Sequence, residues 1–313
     1  MQLQSCPSAP DGAMPTSRSP LGSRRRLGAE LRRLRTRAGL TLDEVAAQLT
    51  CSTSKISRLE TGKGIPKLPD VRELIRIYGV TSDTEQEMLL RLVHDSREHG
   101  WWEPLLDGLP HDTVVDLSAR HAALESDALR VSAFEIVWVH GLLQTPDYAR
   151  AVLAATGRVE HDGEIDRLVE LRRRRQEALL RADSPLELVL VLDESVLHRV
   201  VGSPAIMAEQ LQHLLVMARR PNVSVRVLPF AGGARRGHAG AFGVIEFLPG
   251  AGSDVAYLEG HTGLTHLDGP GDVEEYRAVF GELLLASLDA TASLAEIDRF
   301  RDIHESYAEG RPA

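Results

Sequence analysis

The chain has 313 residues, a formal net charge of −9, 43% hydrophobic residues and two cysteines, Cys6 and Cys51. That length suggests about two domains, the apolar content excludes wholesale disorder, and two cysteines exclude a disulfide framework or a zinc cluster. No uninterrupted apolar run approaches the ~20 residues of a membrane helix, and the first twenty residues lack the apolar stretch of a secretory signal. A soluble, cytoplasmic protein with no membrane contact is therefore expected. The charge is unevenly divided. From Arg18 to Gly79 there are 14 Lys and Arg against 6 Asp and Glu, a surplus of eight positive charges that leaves −17 on the remainder. A small basic module joined to a large acidic one predicts a polyanion partner for the former.

Residues 1–23 are rich in Pro and Ser and are expected to form a disordered arm. From residue 24 the pattern is helical: Leu27, Leu31, Leu34 and Ala38 share one face, and Gly39 ends the helix. Thr41 and Glu44 form a capping box that opens a second short helix, with Leu42, Val45, Ala46 and Leu49 on one side. Ser52 can cap a third helix that turns Ile56 and Leu59 inward and stops at Gly62. A fourth opens near Pro69 and buries Val71, Leu74, Ile75 and Tyr78; a fifth covers 83–99. The remainder predicts helices near 116–130, 147–155, 164–181, 204–219 and 272–288, with β-rich runs at 186–192, 223–228, 242–248 and 255–258. The predicted architecture is a mainly α, five-helix domain over 24–99, an α+β domain over 100–290 and a separate helical tail over 291–313.

The string Leu42-x-x-Val45-Ala46-x-x-Leu49, followed by Ser52-x-x-Lys55-Ile56-Ser57-Arg58-Leu59-Glu60-x-Gly62-Lys63, resembles the Cro/C1-type (XRE) helix-turn-helix domain. The resemblance implies double-stranded DNA as partner, read by the outward face of the third helix in the major groove. Arg58 can fork onto a guanine edge, while Thr53, Ser54 and Ser57 reach base edges or a thymine methyl. Thr41, Leu42, Ser52, Lys55, Lys63 and Lys67 are expected at phosphates, which position the module without reading sequence. Ala46, Ile56 and Leu59 are structural: Ala46 lets the second and third helices cross closely, and the other two anchor the third helix. The resemblance also implies a structural pair between Arg35 and Glu60. One departure stands out, Thr50 where the family has glycine, because a β-branched residue with positive φ is strained. Arg24, Arg25 and Arg26 could reach the minor groove or a phosphate, or merely solubilise an arm.

From Gly100 onward the strings Gly100-Trp101-Trp102, Gly141-Leu142-Leu143-Gln144-Thr145-x-Asp147-Tyr148, Arg220-Pro221-Asn222-Val223 and Tyr257-Leu258-Glu259-Gly260 resemble the C-terminal domain of a large actinobacterial regulator family. The resemblance implies an antitoxin-like or developmental regulator, a homodimer, and a small partner protein encoded nearby. In this reading the acidic domain dimerises, senses a ligand or holds the partner. The arginine run 172–175 is read as a salt-bridged helix with Glu170 or Glu177 as partners. Asp193, Glu194, Glu246 and Glu259 lie at or after strands as candidate acids, and His261, His266 and Asp268 have a spacing that admits a metal. Yet no metalloprotease, phosphate-loop, nucleophile-elbow or dinucleotide motif is present. No enzyme activity, cofactor or metal is expected.

Overall fold

The computed structural model describes residues 19–109, 113–157, 161–261 and 263–311. Helix α1 (Pro20–Arg37) begins earlier than its hydrophobic pattern predicts. The Ser19 hydroxyl accepts the Gly22 N–H at 2.9 Å, and Pro20 occupies the first helical position, where a missing N–H costs nothing. Ser19, Pro20, Gly22 and Ser23 are buried. Residues 19–23 are thus an ordered, capped helix start rather than an arm; 1–18 lie outside the described residues.

Helices α2 (Leu42–Gln48), α3 (Thr53–Glu60), α4 (Leu68–Ile77) and α5 (Asp83–Asp95) complete a five-helix bundle. Its core joins Leu27, Leu31 and Leu34 of α1 to Val45, Ile56, Val71 and Leu89. The fifth helix stops at Asp95, short of 99, because Ser96 caps it and turns its hydroxyl back to the Val93 carbonyl.

The second unit is built on a mixed six-stranded sheet of order β3-β2-β1-β4-β5-β6. Strands β1 (Arg130–Glu135), β2 (Glu187–Asp193) and β3 (Val223–Leu228) run parallel. Strands β4 (Phe242–Glu246), β5 (Val255–Gly260) and β6 (Gly263–Leu267) continue it in antiparallel pairing. The β6 strand is absent from the sequence reading. It is five residues long and only half-buried, so it carries no clear apolar alternation. One face of the sheet presents Phe134, Val191 and Phe242 to α12 (Pro270–Ala286) through Val279, Phe280 and Leu283. The other presents Val131, Leu190, Val225 and Tyr257 to a helical layer. That layer contains α7 (Thr113–Asp127), α8 (Pro146–Thr156) and α11 (Pro204–Met217). It also contains α13 (Ala290–Ala308), whose Ile297 and Phe300 enter this core and whose buried His304 ring hydrogen-bonds the Leu197 carbonyl of the short helix α10 (Ser195–His198) at 2.8 Å. The last helix is therefore part of the α+β unit, not a separate tail. Helix α9 (Asp162–Gln176) and the short helix α6 (Glu103–Leu106) cover α7 from outside, with Leu171, Trp102 and Leu106 between them. The two-part class, an α-helical bundle followed by an α+β domain, is what the sequence pattern predicts.

The arginine run on α9 wraps the helix and splits by environment. Arg173 and Arg174 are exposed and both reach Glu170. Arg175 turns inward and grips Glu125 of α7 with two hydrogen bonds of 2.6 and 2.9 Å; both side chains are largely buried. The His121 Nε2 lies 3.1 Å from the same carboxylate. Burial would push the Glu125 carboxyl up, but Arg175 and His121 hold it far below the ordinary range. Replacing Arg175 with Met leaves a buried carboxylate without its cation and should cost about 3–5 kcal/mol, read as a lower urea midpoint. In the wild type the depressed carboxyl contributes stability above the ordinary carboxylate range and loses it as pH falls. In R175M burial dominates, the folded state takes up a proton, and the deficit should shrink between about pH 7 and about pH 5. A deficit that stays level or widens over that interval contradicts this account.

Candidate nucleic-acid interface

The beginnings of three helices meet at one end of the bundle. The Thr41 hydroxyl caps α2, accepting the Glu44 N–H, while the Glu44 carboxylate accepts the Thr41 N–H at 2.8 Å. Ser52 caps α3 by accepting the Lys55 N–H at 3.3 Å. The Thr53 hydroxyl donates to Asp43 of α2 at 2.7 Å, and the Lys55 ammonium lies 2.7 Å from Asp70 of α4. These two cross-links tie the start of α3 to the starts of its neighbours, and together the three ends present positive helix dipoles. Asp43 and Asp70 are absent from the sequence reading; their neighbours across the turn are set by packing, not by spacing.

The third helix is fastened from behind. Ile56 and Leu59 are buried in the bundle core, and Glu60 receives a bidentate pair from Arg35 at 2.6 and 2.9 Å. A third Arg35 N–H donates to the Leu40 carbonyl at 2.8 Å, so this guanidinium joins α1, α3 and the turn between α1 and α2. Ser54 and Arg58 are exposed on the opposite side, with Thr53 and Ser57 partly exposed beside them. Ala46 is buried between α2 and its neighbours. The tightest approach lies elsewhere. A Cβ on Gly28 of α1 would sit 2.5 Å from the Leu59 carbonyl oxygen and 2.6 Å from that of Glu60. A lone glycine within a leucine-spaced helix is the sequence signal for such a crossing.

The turn between α2 and α3 keeps its geometry in spite of Thr50. The Thr50 N–H reaches the Ala47 carbonyl and the Cys51 N–H reaches that of Ala46, the reciprocal pair of a Schellman ending. Thr50 takes a φ of 51° to make it, where α1 and α4 end on Gly39 and Gly79 at 70° and 66°. The turn therefore does not adjust; the threonine adopts the left-handed conformation, at a cost.

Not every expected phosphate ligand stands clear. Lys67, just before α4, is exposed, and no ion pair engages it among the described residues. Thr41 and Ser52 are exposed and Leu42 is half-buried. Lys63 instead extends to the second domain, its ammonium 2.7 Å from Asp268. Arg25 and Arg26 are buried, which rules out a solubilising arm and a minor-groove probe at these positions. The Arg25 guanidinium lies 3.9 Å above the Phe247 ring and donates to the Ser253 carbonyl.

Three of the four candidate acids of the second domain, Asp193, Glu194 and Glu246, are occupied locally, whereas Glu259 is exposed. Asp193 accepts the Ser195 N–H at 2.9 Å and faces His238 at 3.2 Å; Glu194 accepts the Phe230 N–H at 2.8 Å. Glu246 is drawn to Arg277 at 3.3 Å. His266 Nε2 lies 3.4 Å from His121 Nδ1, and among the described residues no group of three or more His, Cys, Asp or Glu side chains is placed to hold a metal.

Residues 26–89 match a helix-turn-helix domain, and residues 118–299 match the domain of unknown function DUF5753. The chain belongs to the DUF5753 family. The helix-turn-helix match spans the bundle from within α1 into α5, and with it the α2–α3 pair whose outer face is described above, which supports a DNA-binding regulator. The DUF5753 match begins within α7 and ends within α13, which includes every strand of the sheet. No curated protein and no solved structure matches the chain. Among the described residues no single helix is long and apolar enough to cross a membrane.

Two substitutions test this geometry. Gly28→Ala forces a methyl into the backbone of α3 and should destabilise the bundle by about 1–3 kcal/mol. Thr50→Gly relieves the left-handed strain, partly offset by chain entropy, and should stabilise by up to about 1 kcal/mol. Chemical denaturation monitored on both variants checks the signs; a wild-type midpoint for G28A contradicts the close crossing.

Proposed function

We propose that the protein is a sequence-specific transcriptional regulator of the Cro/C1 type that acts on DNA in the cytoplasm. One observation carries the reading: α3 is held by Ile56, Leu59 and the Arg35–Glu60 pair so that Ser54 in its first turn and Arg58 in its last turn face solvent. In this reading α3 enters the major groove. Arg58 reads a guanine edge; Ser54 and Ser57 reach neighbouring bases. Thr53 contributes its methyl group, because its hydroxyl is committed to Asp43. The capped starts of α2 and α3 at Thr41, Leu42 and Ser52, together with Lys67, meet phosphates, and Lys55 does so when it leaves Asp70. Lys63 joins them only when it leaves Asp268. A single small module buries too little surface for nanomolar specificity, so the active species is a homodimer on half-sites about 10 bp apart or a multiple of that. No catalytic role belongs to this reading.

A second reading makes the DUF5753 domain the holder of a small protein encoded nearby, in the manner of an antitoxin, with DNA binding for autoregulation. It is favoured by the exposure of large apolar side chains there, Leu285 at 89% and Phe230 at 55%. Co-purification of the natively expressed protein with a small neighbour-encoded chain supports it.

Selection from a random duplex library with purified protein tests the first reading. Arg58→Ala should relax preference at one base position, a loss of about 1–3 kcal/mol of discrimination, with the rest of the motif intact. Lys67→Ala should weaken all sequences alike and lower the salt slope by about one. Indistinguishable behaviour of the two variants overturns the division of roles, and no enriched sequence overturns the reading.

A further inference from the structure

A cavity of about 210 Å³ lies between the helical face of the sheet and α8–α9. A space of this size admits a small molecule. Two ionisable side chains line it, one from the sheet and one from α9. Glu135, the last residue of β1, is 97% buried, and no hydrogen bond or ion pair engages its carboxyl among the described residues. Burial, with Glu259 nearby, pushes that carboxyl well above its ordinary range. Arg172 of α9 donates to the Gln144 side chain at 2.6 Å but pairs with no carboxylate among the described residues. Burial lowers the Arg172 guanidinium to about 10.

This is an expensive arrangement for a domain that elsewhere pairs its buried ions. Three residues further along α9, Arg175 reaches across to Glu125 and both are satisfied. Glu135 and Arg172 line one cavity and are not paired with each other. The lining mixes carbon from Trp138, Val152, Leu168, Leu171 and Leu264 with polar groups, among them His121, His140, Gln144 and Thr156. A second carboxylate, the exposed Glu259, also lines the cavity and acts electrostatically on both Glu135 and Arg172, without a salt bridge to the latter. A buried polar group left without a partner points to one supplied from outside.

We propose that this cavity is a binding site for a small zwitterion of the α-amino-acid type. Its ammonium group meets Glu135, its carboxylate meets Arg172, and a short apolar side chain rests on the carbon of the lining. The site stands independently of DNA recognition, because nothing in it belongs to the helical bundle.

The test is a binding titration on the full-length protein without DNA, by calorimetry and thermal shift. The probes are valine, leucine, isoleucine and methionine, the methyl esters of each, and the matching carboxylic acids that lack the amino group. At least one free amino acid should bind at millimolar concentration or below and raise the melting temperature. Its ester and its des-amino analogue should each bind at least tenfold more weakly. Glu135→Gln, which keeps shape, should weaken the free amino acid by at least tenfold. Glu259→Gln, at the exposed carboxylate, should weaken it by about threefold or less. Arg172→Lys should recover part of the affinity that Arg172→Met loses, which a merely structural arginine would not show. An E135Q protein that folds with the wild-type circular dichroism and binds the amino acid equally well overturns the proposal. So does a des-amino acid that binds as tightly as the amino acid, or the absence of binding by every probe.

Discussion

The direction in which α3 faces depends on α1, because α1 is shared by two cores. Its middle and end supply Leu27, Leu31 and Leu34 to the helical bundle, while Leu21 in its first turn packs on the clusters of the second domain. A single helix of 18 residues spans both. Gly28 brings its backbone against the end of α3, and Arg35 clamps Glu60 about two turns later. At its other end the Ser19 hydroxyl donates to Asp127 at the end of α7, and Arg25 lies over Phe247. The exposed Lys63–Asp268 contact adds little by itself, since two half-hydrated side chains gain little from pairing. The buried Arg25 contributes more, because its guanidinium keeps both a carbonyl and an aromatic face out of water.

The second domain shows how the same residue type serves opposite ends according to its neighbours. Arg173, Arg174 and Arg175 are consecutive, yet the first two form exposed pairs with Glu170 while the third is buried against α7. The Glu125 carboxylate gathers Arg175 on one side and His121 on the other, and His121 packs edge-on to Tyr257 at 4.7 Å. The Tyr257 hydroxyl lies 3.0 Å from His140 Nε2. The Leu142 N–H donates to His140 Nδ1, so the neutral ring carries its proton on Nε2 and donates it to Tyr257. Burial lowers that imidazole to about 3, consistent with a neutral ring. A chain of polar groups thus crosses the domain from α9 to the loop after β1, and it frames the cavity bounded by Glu135 and Arg172.

Local chemistry was legible in the residues wherever its cause lies within one turn of chain. The capping box at Thr41 and Glu44, the Ser52 cap and the glycine endings at Gly39 and Gly62 each depend on neighbours a few positions away. The outward face of α3 was legible for the same reason: Ile56 and Leu59 fix which side is inward, and 3.6-residue periodicity assigns the rest. Thr50 shows the limit. Its residue type argues against a left-handed conformation, but two Schellman hydrogen bonds and the packing of α2 on α3 decide for it.

What the sequence by itself determined is the basic helical bundle with its capped helices, the α+β character of the rest, and the inward and outward faces of α3, because each follows from periodicity and short-range hydrogen bonding. Only the tertiary structure decided that α1 starts at Pro20, that α13 enters the main core, and that Lys63 meets Asp268. It alone decided that Arg175 finds Glu125, fifty residues away, while Glu135 and Arg172 face a common cavity unpaired. These outcomes turn on which charges share a low-dielectric space, and that is a property of packing between distant segments, which no local pattern encodes.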